Sequence, residues 1–231
     1  MLRLLPRRSI DFTYTFRYLT TQVKANIIPL FEPETNTAQY ILSCPITKEA
    51  AIIDSVLDYN PFHAITSTKT ADKLLEIVKE NSLNVNWILE THVHADHITA
   101  ATYLKQKLNS RPKIGISKNV TKVQKVFAPK YQVNIPTDGS QFDILFEDGQ
   151  TFQLGNLTVQ IIYTPGHTPA CLCYYIENDS IFVGDTFFMV IFFILSFSIL
   201  LFTQFFRFKS PILGQLVVIS LEAPPKHFGN R

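Results

Sequence analysis

The chain has 231 residues, of which 46% are hydrophobic and 17% charged, with a formal net charge of +2 and a mean hydropathy of +0.11. That length suits one domain of roughly 150–250 residues, and the composition is too apolar for an intrinsically disordered chain. Four basic residues stand against Glu222 in 187–231, so residues 1–186 hold no basic surplus of the kind nucleic-acid binding requires.

In chain order, residues 1–26 come first, with Arg3, Arg7, Arg8, Arg17 and Lys24 against the single acid Asp11. Hydroxyl residues are interspersed, and no apolar core of about 7–15 residues follows the arginines as a secretory signal would require. The segment reads as a mitochondrial transit peptide, which implies a location in the matrix. Gln39 to Cys44 and Ala50 to Asp54 are short β-rich runs separated by the turn residues Pro45 to Lys48, and they predict a hairpin. Thr70 to Asn81 predicts a helix with Leu74, Leu75 and Val78 on its apolar face and Asn81 as its stop. A strand is expected over Asn86 to Glu90 and a helix over Ile98 to Asn109. Further strands are expected at Lys113 to Ile116, Thr151 to Leu154, Leu157 to Tyr163, Leu172 to Ile176 and Ile181 to Val183. Turns at Asp138 with Gly139, Asp148 with Gly149, Gly155 with Asn156 and Asn178 with Asp179 separate several of them. Many strands with a few helices indicate a layered α/β or α+β domain.

Phe187 to Phe206 is a twenty-residue run without a charged side chain, followed at once by Arg207 and Lys209. As a helix it would span roughly 30 Å of hydrocarbon, so it is a candidate transmembrane segment or membrane contact. The alternative is an apolar peptide joined to the domain by a splicing or gene-model accident. Of the three cysteines, one is necessarily unpaired, which favours a reducing compartment over a disulfide framework. Cys171 and Cys173 read as buried strand thiols.

The chemistry-bearing segment is Thr91, His92, Val93, His94, Ala95, Asp96, His97, delivered by the run Trp87 to Glu90. Three imidazoles and a carboxylate within six residues suit Zn, Fe or Mn. Two more segments carry the pattern onward. Thr164 to Pro169 places His167 in a tight turn after a strand, and Phe182 to Thr186 places Asp185 at the end of another. Alone, His167 reads as an ordinary turn residue and Asp185 as a helix cap. Together, His92, His94, Asp96, His97, His167 and Asp185 sit at strand ends and can share one cleft. His63 and His227 fall outside the pattern, and there is no Walker or GxGxxG loop for phosphate.

The order HxHxDH, PGHT, GDT resembles the metallo-β-lactamase superfamily, and the resemblance implies an αββα sandwich with a metal cleft at one edge. Within it the runs TKEAAIID, WILETHVHADHITAA, TPGHTPACLCY and IFVGDTFF are most similar to the persulfide dioxygenase (sulfur dioxygenase) group. The hydroxyacylglutathione hydrolase group, glyoxalase II, is next. The resemblance covers about 27–189. It implies one Fe(2+) held by His92, His167 and Asp185, with glutathione persulfide and O2 as substrates and His94, Asp96 and His97 around the ligands. In the hydrolase alternative those three residues are ligands too, and zinc, one ion or two, replaces iron. Past Met189 no family pattern is recognisable, so 190–231 is expected to be a non-family tail and the fold to be incomplete in its second half. An inactive truncated product is the third reading.

Overall fold

The computed structural model describes residues 23–60, 62–109 and 111–186, together with the backbone of 207–208 and 218–220. Residues 1–22 and the apolar run 187–206 lie outside the described residues. Among the described residues no helix is long and apolar enough to cross a membrane.

The first sheet begins with β1 (Asn26–Glu32), β2 (Thr37–Ser43) and β3 (Glu49–Ile53). β2 and β3 form the expected hairpin, with Tyr40 opposite Ile53 and Ser43 opposite Ala50. Lys48 takes a φ of 62° in its turn. From β3 the chain crosses through α1 (Lys69–Glu80) to β6 (Asn84–Leu89), which lies parallel to β3 with Ile53 beside Leu89. Helix α1 buries Ala71, Leu74 and Val78, the i, i+3, i+7 stripe of an amphipathic helix. Its first turn is held from outside: Thr70 N and Oγ1 both donate to the Asp58 carboxylate. At its other end the Asn81 side chain donates to Ile77 O at 2.9 Å. Two more parallel strands, β8 (Lys113–Ser117) and β9 (Ile144–Phe146), complete the sheet in the order β1-β2-β3-β6-β8-β9. β3 after Glu49 and β6 from Trp87 to Leu89 are apolar runs because both faces of the sheet centre are covered.

The second sheet is an antiparallel meander of β10 (Thr151–Leu154), β11 (Leu157–Tyr163), β12 (Leu172–Ile176) and β13 (Ser180–Phe182). The backbone of β15 (Val218–Ser220) pairs with β13, and that of β14 (Arg207–Phe208) pairs with β15. Between the two sheets lies one core, with Leu42, Ile53, Leu89, Phe146, Val159, Ile161, Leu172 and Tyr174 among its buried residues. A second core lies between the first sheet and the helices α1 and α2 (Ala101–Lys107) and includes Ile52, Leu74, Ile88 and Leu104. Among the described residues the layering is helix, sheet, sheet, in agreement with the α/β expectation.

Several elements differ from the sequence expectation, and strands β1 and β9 of the first sheet are not among the predicted elements. The helix predicted over 98–109 is shorter, because Ile98–Thr99 forms β7 and pairs with β4 (Val56–Asn60). β4 also pairs with β5 (Ile65–Ser67) in a small third sheet. Helix α3 (Val120–Lys130) has no counterpart among the predicted elements; it buries Val120, Val123 and Ala128 and carries Pro129 near its end. The predicted turns at Gly139, Gly149, Gly155 and Asn178 are all present with positive φ.

Candidate metal centre

The parallel strands β3, β6 and β8 all end on one edge of the first sheet, and chemistry collects there. The segment after β6 is held on both sides. Glu90 N donates to Gly115 O, and Leu172 N donates to Thr91 O, so this loop bridges the two sheets. Asp54 follows β3, at a φ of 51°, and its carboxylate accepts Thr91 N at 2.7 Å and Thr91 Oγ1 at 2.9 Å. Asp185 follows Gly184, whose φ is 50°. A Cβ on Gly184 would lie 2.3 Å from Thr91 Oγ1, so only glycine lets the two loops approach this closely. The His167 turn is tied to the same place: Thr164 Oγ1 lies 2.8 Å from Thr186 Oγ1, and Thr164 N donates to Cys171 O. Cys171 and Cys173 are buried free thiols, as expected, and the Cys171 sulfur accepts Thr168 N at 3.1 Å behind His167.

Of the six residues that the sequence motifs point to, the structure brings His92, His167 and Asp185 into one group, with one ligand atom from each within 4.8 Å of the others. His94, Asp96 and His97 form a second such group. The rings run in a continuous row: His167 and His92 centroids are 5.0 Å apart, His92 and His94 4.0 Å, His94 and His97 4.1 Å. His63 is elsewhere, exposed and bonded to Asn60, and His227 lies outside the described residues.

The donor chemistry of the first group fits a cation. Thr91 Oγ1 spends its one hydrogen on Asp54, so toward His92 Nδ1, 3.0 Å away, it can only accept. That assigns the ring proton of His92 to Nδ1 and leaves Nε2 with its lone pair. This Nε2 is buried without a hydrogen-bond partner among the described residues and lies 3.7 Å from Asp185 Oδ2. His167 Nε2 is 3.5 Å from the same oxygen. Two imidazole nitrogens around one carboxylate, too far apart for good hydrogen bonds, are what a bound metal would satisfy.

Electrostatics agree with that assignment. Burial and the neighbouring His94 charge push His92 down to about 3, so its ring is neutral at ordinary pH. Burial raises Asp185 above the usual carboxylate range, opposed by His167 and His94. For His94 burial acts downward, but Asp54 Oδ1 at 3.1 Å and Glu90 Oε2 at 3.2 Å from its Nε2 raise it well above the ordinary histidine value. Asp96 is held far below its normal range by the His97 hydrogen bond.

The sequence motifs do not point to Asp54, Glu90 or Thr91 as functional residues. The signal for Asp54 is nonetheless present: it ends a strand next to the one that carries the histidine motif, and parallel neighbours deliver their C-terminal ends to one edge. Glu90 is the acid directly before the motif. It is 2% exposed, and its Oε1 accepts from Thr99 Oγ1 in β7.

The sequence model of the Metallo-beta-lactamase superfamily matches residues 39–218. The chain belongs to that superfamily. It is 50% identical over 173 residues to a Glyoxylase B2 of Dictyostelium discoideum, covering 74% of this chain and 58% of that protein. It is 30% identical over 157 residues to the mitochondrial Persulfide dioxygenase ETHE1 of Bos taurus, covering 68% of this chain and 50% of that protein. Among solved structures it resembles ETHE1 from Myxococcus xanthus, with a TM-score of 0.52 and 28% identity over 69% of this chain and 57% of that one. The chain thus spans about half the length of the curated relatives it matches.

Proposed function

We propose that this protein is a mononuclear iron persulfide dioxygenase acting on glutathione persulfide in mitochondrial sulfide catabolism. The observation that carries this reading is the grouping of the donors: His92, His167 and Asp185 form one set of two histidines and one carboxylate, adjoining the set of His94, Asp96 and His97. Two histidines and a carboxylate are the set that leaves positions open on a ferrous ion. Iron, when bound, supplies those positions to O2 and to the substrate sulfur. The reaction joins the persulfide, O2 and one water to give glutathione, sulfite and two protons.

The chain's own residues have separate tasks in this proposal. His92 presents Nε2 because Thr91 and Asp54 hold its Nδ1 proton. His167 and Asp185 are kept in register by the Thr164 to Thr186 contact. His94, with Asp54 and Glu90 at its Nε2, is fixed by those two acids with its ring packed against His92. The basic segment 1–26 is proposed to direct the protein to the mitochondrial matrix.

One observation favours a second reading, a dinuclear zinc hydroxyacylglutathione hydrolase: the second donor group is itself a compact set of ligands, and the Dictyostelium relative bears the name Glyoxylase B2. The test is to load the full chain anaerobically with Fe(II) and follow O2 uptake with glutathione persulfide. Stoichiometric O2 uptake and sulfite release are expected. No uptake above that of free iron, with hydrolysis of S-lactoylglutathione by the zinc-loaded chain, would replace this reading with the hydrolase. Neither activity would mean an inactive product.

A further inference from the structure

The turn between β1 and β2 holds a chain of hydrogen bonds that ends on His97, sixty residues away in sequence. It starts at Glu32, which is 1% exposed. Its Oε1 accepts Glu34 N at 2.9 Å, and its Oε2 accepts Thr35 N at 2.8 Å and Thr35 Oγ1 at 2.5 Å. Thr35 Oγ1 lies 2.8 Å from Thr37 Oγ1, and Thr37 Oγ1 lies 3.2 Å from His97 Nδ1.

The direction of every link is set by the first. The Glu32 oxygens already receive backbone N–H groups, so this carboxylate acts as an acceptor. A threonine hydroxyl has one hydrogen, and that of Thr35 is spent on Glu32. Toward Thr37 it can only accept, so Thr37 donates to Thr35. Thr37 then has no hydrogen left for His97 and accepts from it. The reverse assignment would place two hydroxyl oxygens 2.8 Å apart with no hydrogen between them. Asp96 Oδ2, 3.4 Å from the same Nδ1, is also an acceptor and agrees.

We infer that Thr37, fixed by Thr35 and the buried Glu32, is a positioning residue that locks His97 in the Nδ1–H tautomer and leaves Nε2 as its bare nitrogen. That Nε2 is buried, in a side chain that is 0% exposed, and has no hydrogen-bond partner among the described residues. The device repeats on His97 what Thr91 and Asp54 do for His92: a hydroxyl with its hydrogen committed to a buried acid sets which ring nitrogen is open. It lies outside the histidine motifs, in the run Glu32, Pro33, Glu34, Thr35, Asn36, Thr37.

The test is nitrogen-15 NMR of histidine-labelled, metal-free full chain, in which the imidazole correlations report the tautomer of each ring. Wild type is expected to show His97 as Nδ1–H. Thr37→Val, which keeps the shape and removes the hydroxyl, leaves only the longer 3.4 Å contact of Asp96 Oδ2 on Nδ1 and should shift His97 toward a mixture, while Thr37→Ser should keep the wild-type pattern. A kinetic arm, which alone rests on the proposed function, uses the iron-loaded protein: Thr37→Val should lower kcat about tenfold, with KM nearly unchanged and Thr37→Ser restoring the rate. A wild-type His97 in the Nε2–H form overturns the inference without any variant. So does a Thr37→Val spectrum identical to wild type, or a Thr37→Ser protein as altered as Thr37→Val. A correct tautomer in a protein that consumes no O2 would sink the dioxygenase reading and leave the lock standing.

Discussion

The two donor groups of the cleft are assembled in opposite ways. His94, Asp96 and His97 come from one short loop, whereas His92, His167 and Asp185 come from three loops and need both sheets stacked in register. The His94, Asp96 and His97 group is local, and its geometry survives as long as β6 and its loop do. The His92, His167 and Asp185 group depends on long-range packing, on Gly184 approaching Thr91 and on the thread of Thr164 to Thr186. Yet both are oriented from the first sheet, His92 through Asp54 after β3 and His97 through Glu32 at the end of β1. The second sheet brings His167 and Asp185, and the first sheet sets the proton positions of His92 and His97.

That contrast can be broken most forcefully at the residues proposed to hold the metal. His92→Ala or Asp185→Ala should each abolish metal binding by the first group, read as metal per chain after gel filtration, while circular dichroism stays that of a folded protein. Retention of a tightly bound ion in either variant would contradict the sorting of donors. Next in size is Asp54→Ala. It leaves Thr91 N and Thr91 Oγ1 without their buried acceptor and His94 with Glu90 alone, and losing one partner of a buried charged pair costs about 3–5 kcal/mol. Urea unfolding should show that loss, and metal affinity should fall with it.

Asp96→Ala is the sharper comparison between the groups. On the mononuclear account it should lower activity about 10–100-fold, the usual effect of a residue that orients a ligand, and leave metal content unchanged. Equal loss of metal and activity would make the second group a metal site in its own right. The smallest effect is expected away from the cleft at Asp143, which accepts Ile114 N at 2.7 Å and pairs with Lys105. Burial acts upward on this carboxyl, but Ile114 N–H and Lys105 bring it below the usual carboxylate range. A depressed folded-state value means the stabilisation is present above about pH 3.9, the ordinary aspartate value, and fades as the pH falls through the lower folded value. Asp143→Asn should therefore lower Tm slightly at pH 7, converge on wild type in acid, and not alter metal binding at all.

The histidine loop is legible in the sequence because its residues are adjacent, and three imidazoles crowded beside a carboxylate are a donor set that a metal requires and a packed core does not. His167 and Asp185 are legible through family resemblance, since a lone turn histidine and a lone aspartate after a strand carry no signal of their own. Hidden from the sequence are residues whose work is defined by partners distant along the chain: Asp54, Glu90, Thr37 and Glu32. A buried acid at a strand end looks like any turn residue until the neighbouring strand is known. The fold shows the same division. Strands β10 to β13 alternate or run apolar between clear turns, and each is visible. Helix α3 is obscured by Pro129 and by Val126 and Phe127, which are exposed and blur the apolar stripe. Ile98 stands at helical spacing from Ala101 and Leu104, but the open edge of β4 captures it, with Thr99, as a strand.

How many metal ions the row of four histidines takes up decides between the mononuclear and dinuclear readings. The direct measurement is titration of the metal-free full chain with Fe(II) under anaerobic conditions, and in parallel with Zn(II), with bound metal counted by elemental analysis after desalting. One ion per chain, lost in His92→Ala and kept in Asp96→Ala, is the predicted result. Two ions per chain, with both variants losing metal alike, would contradict it.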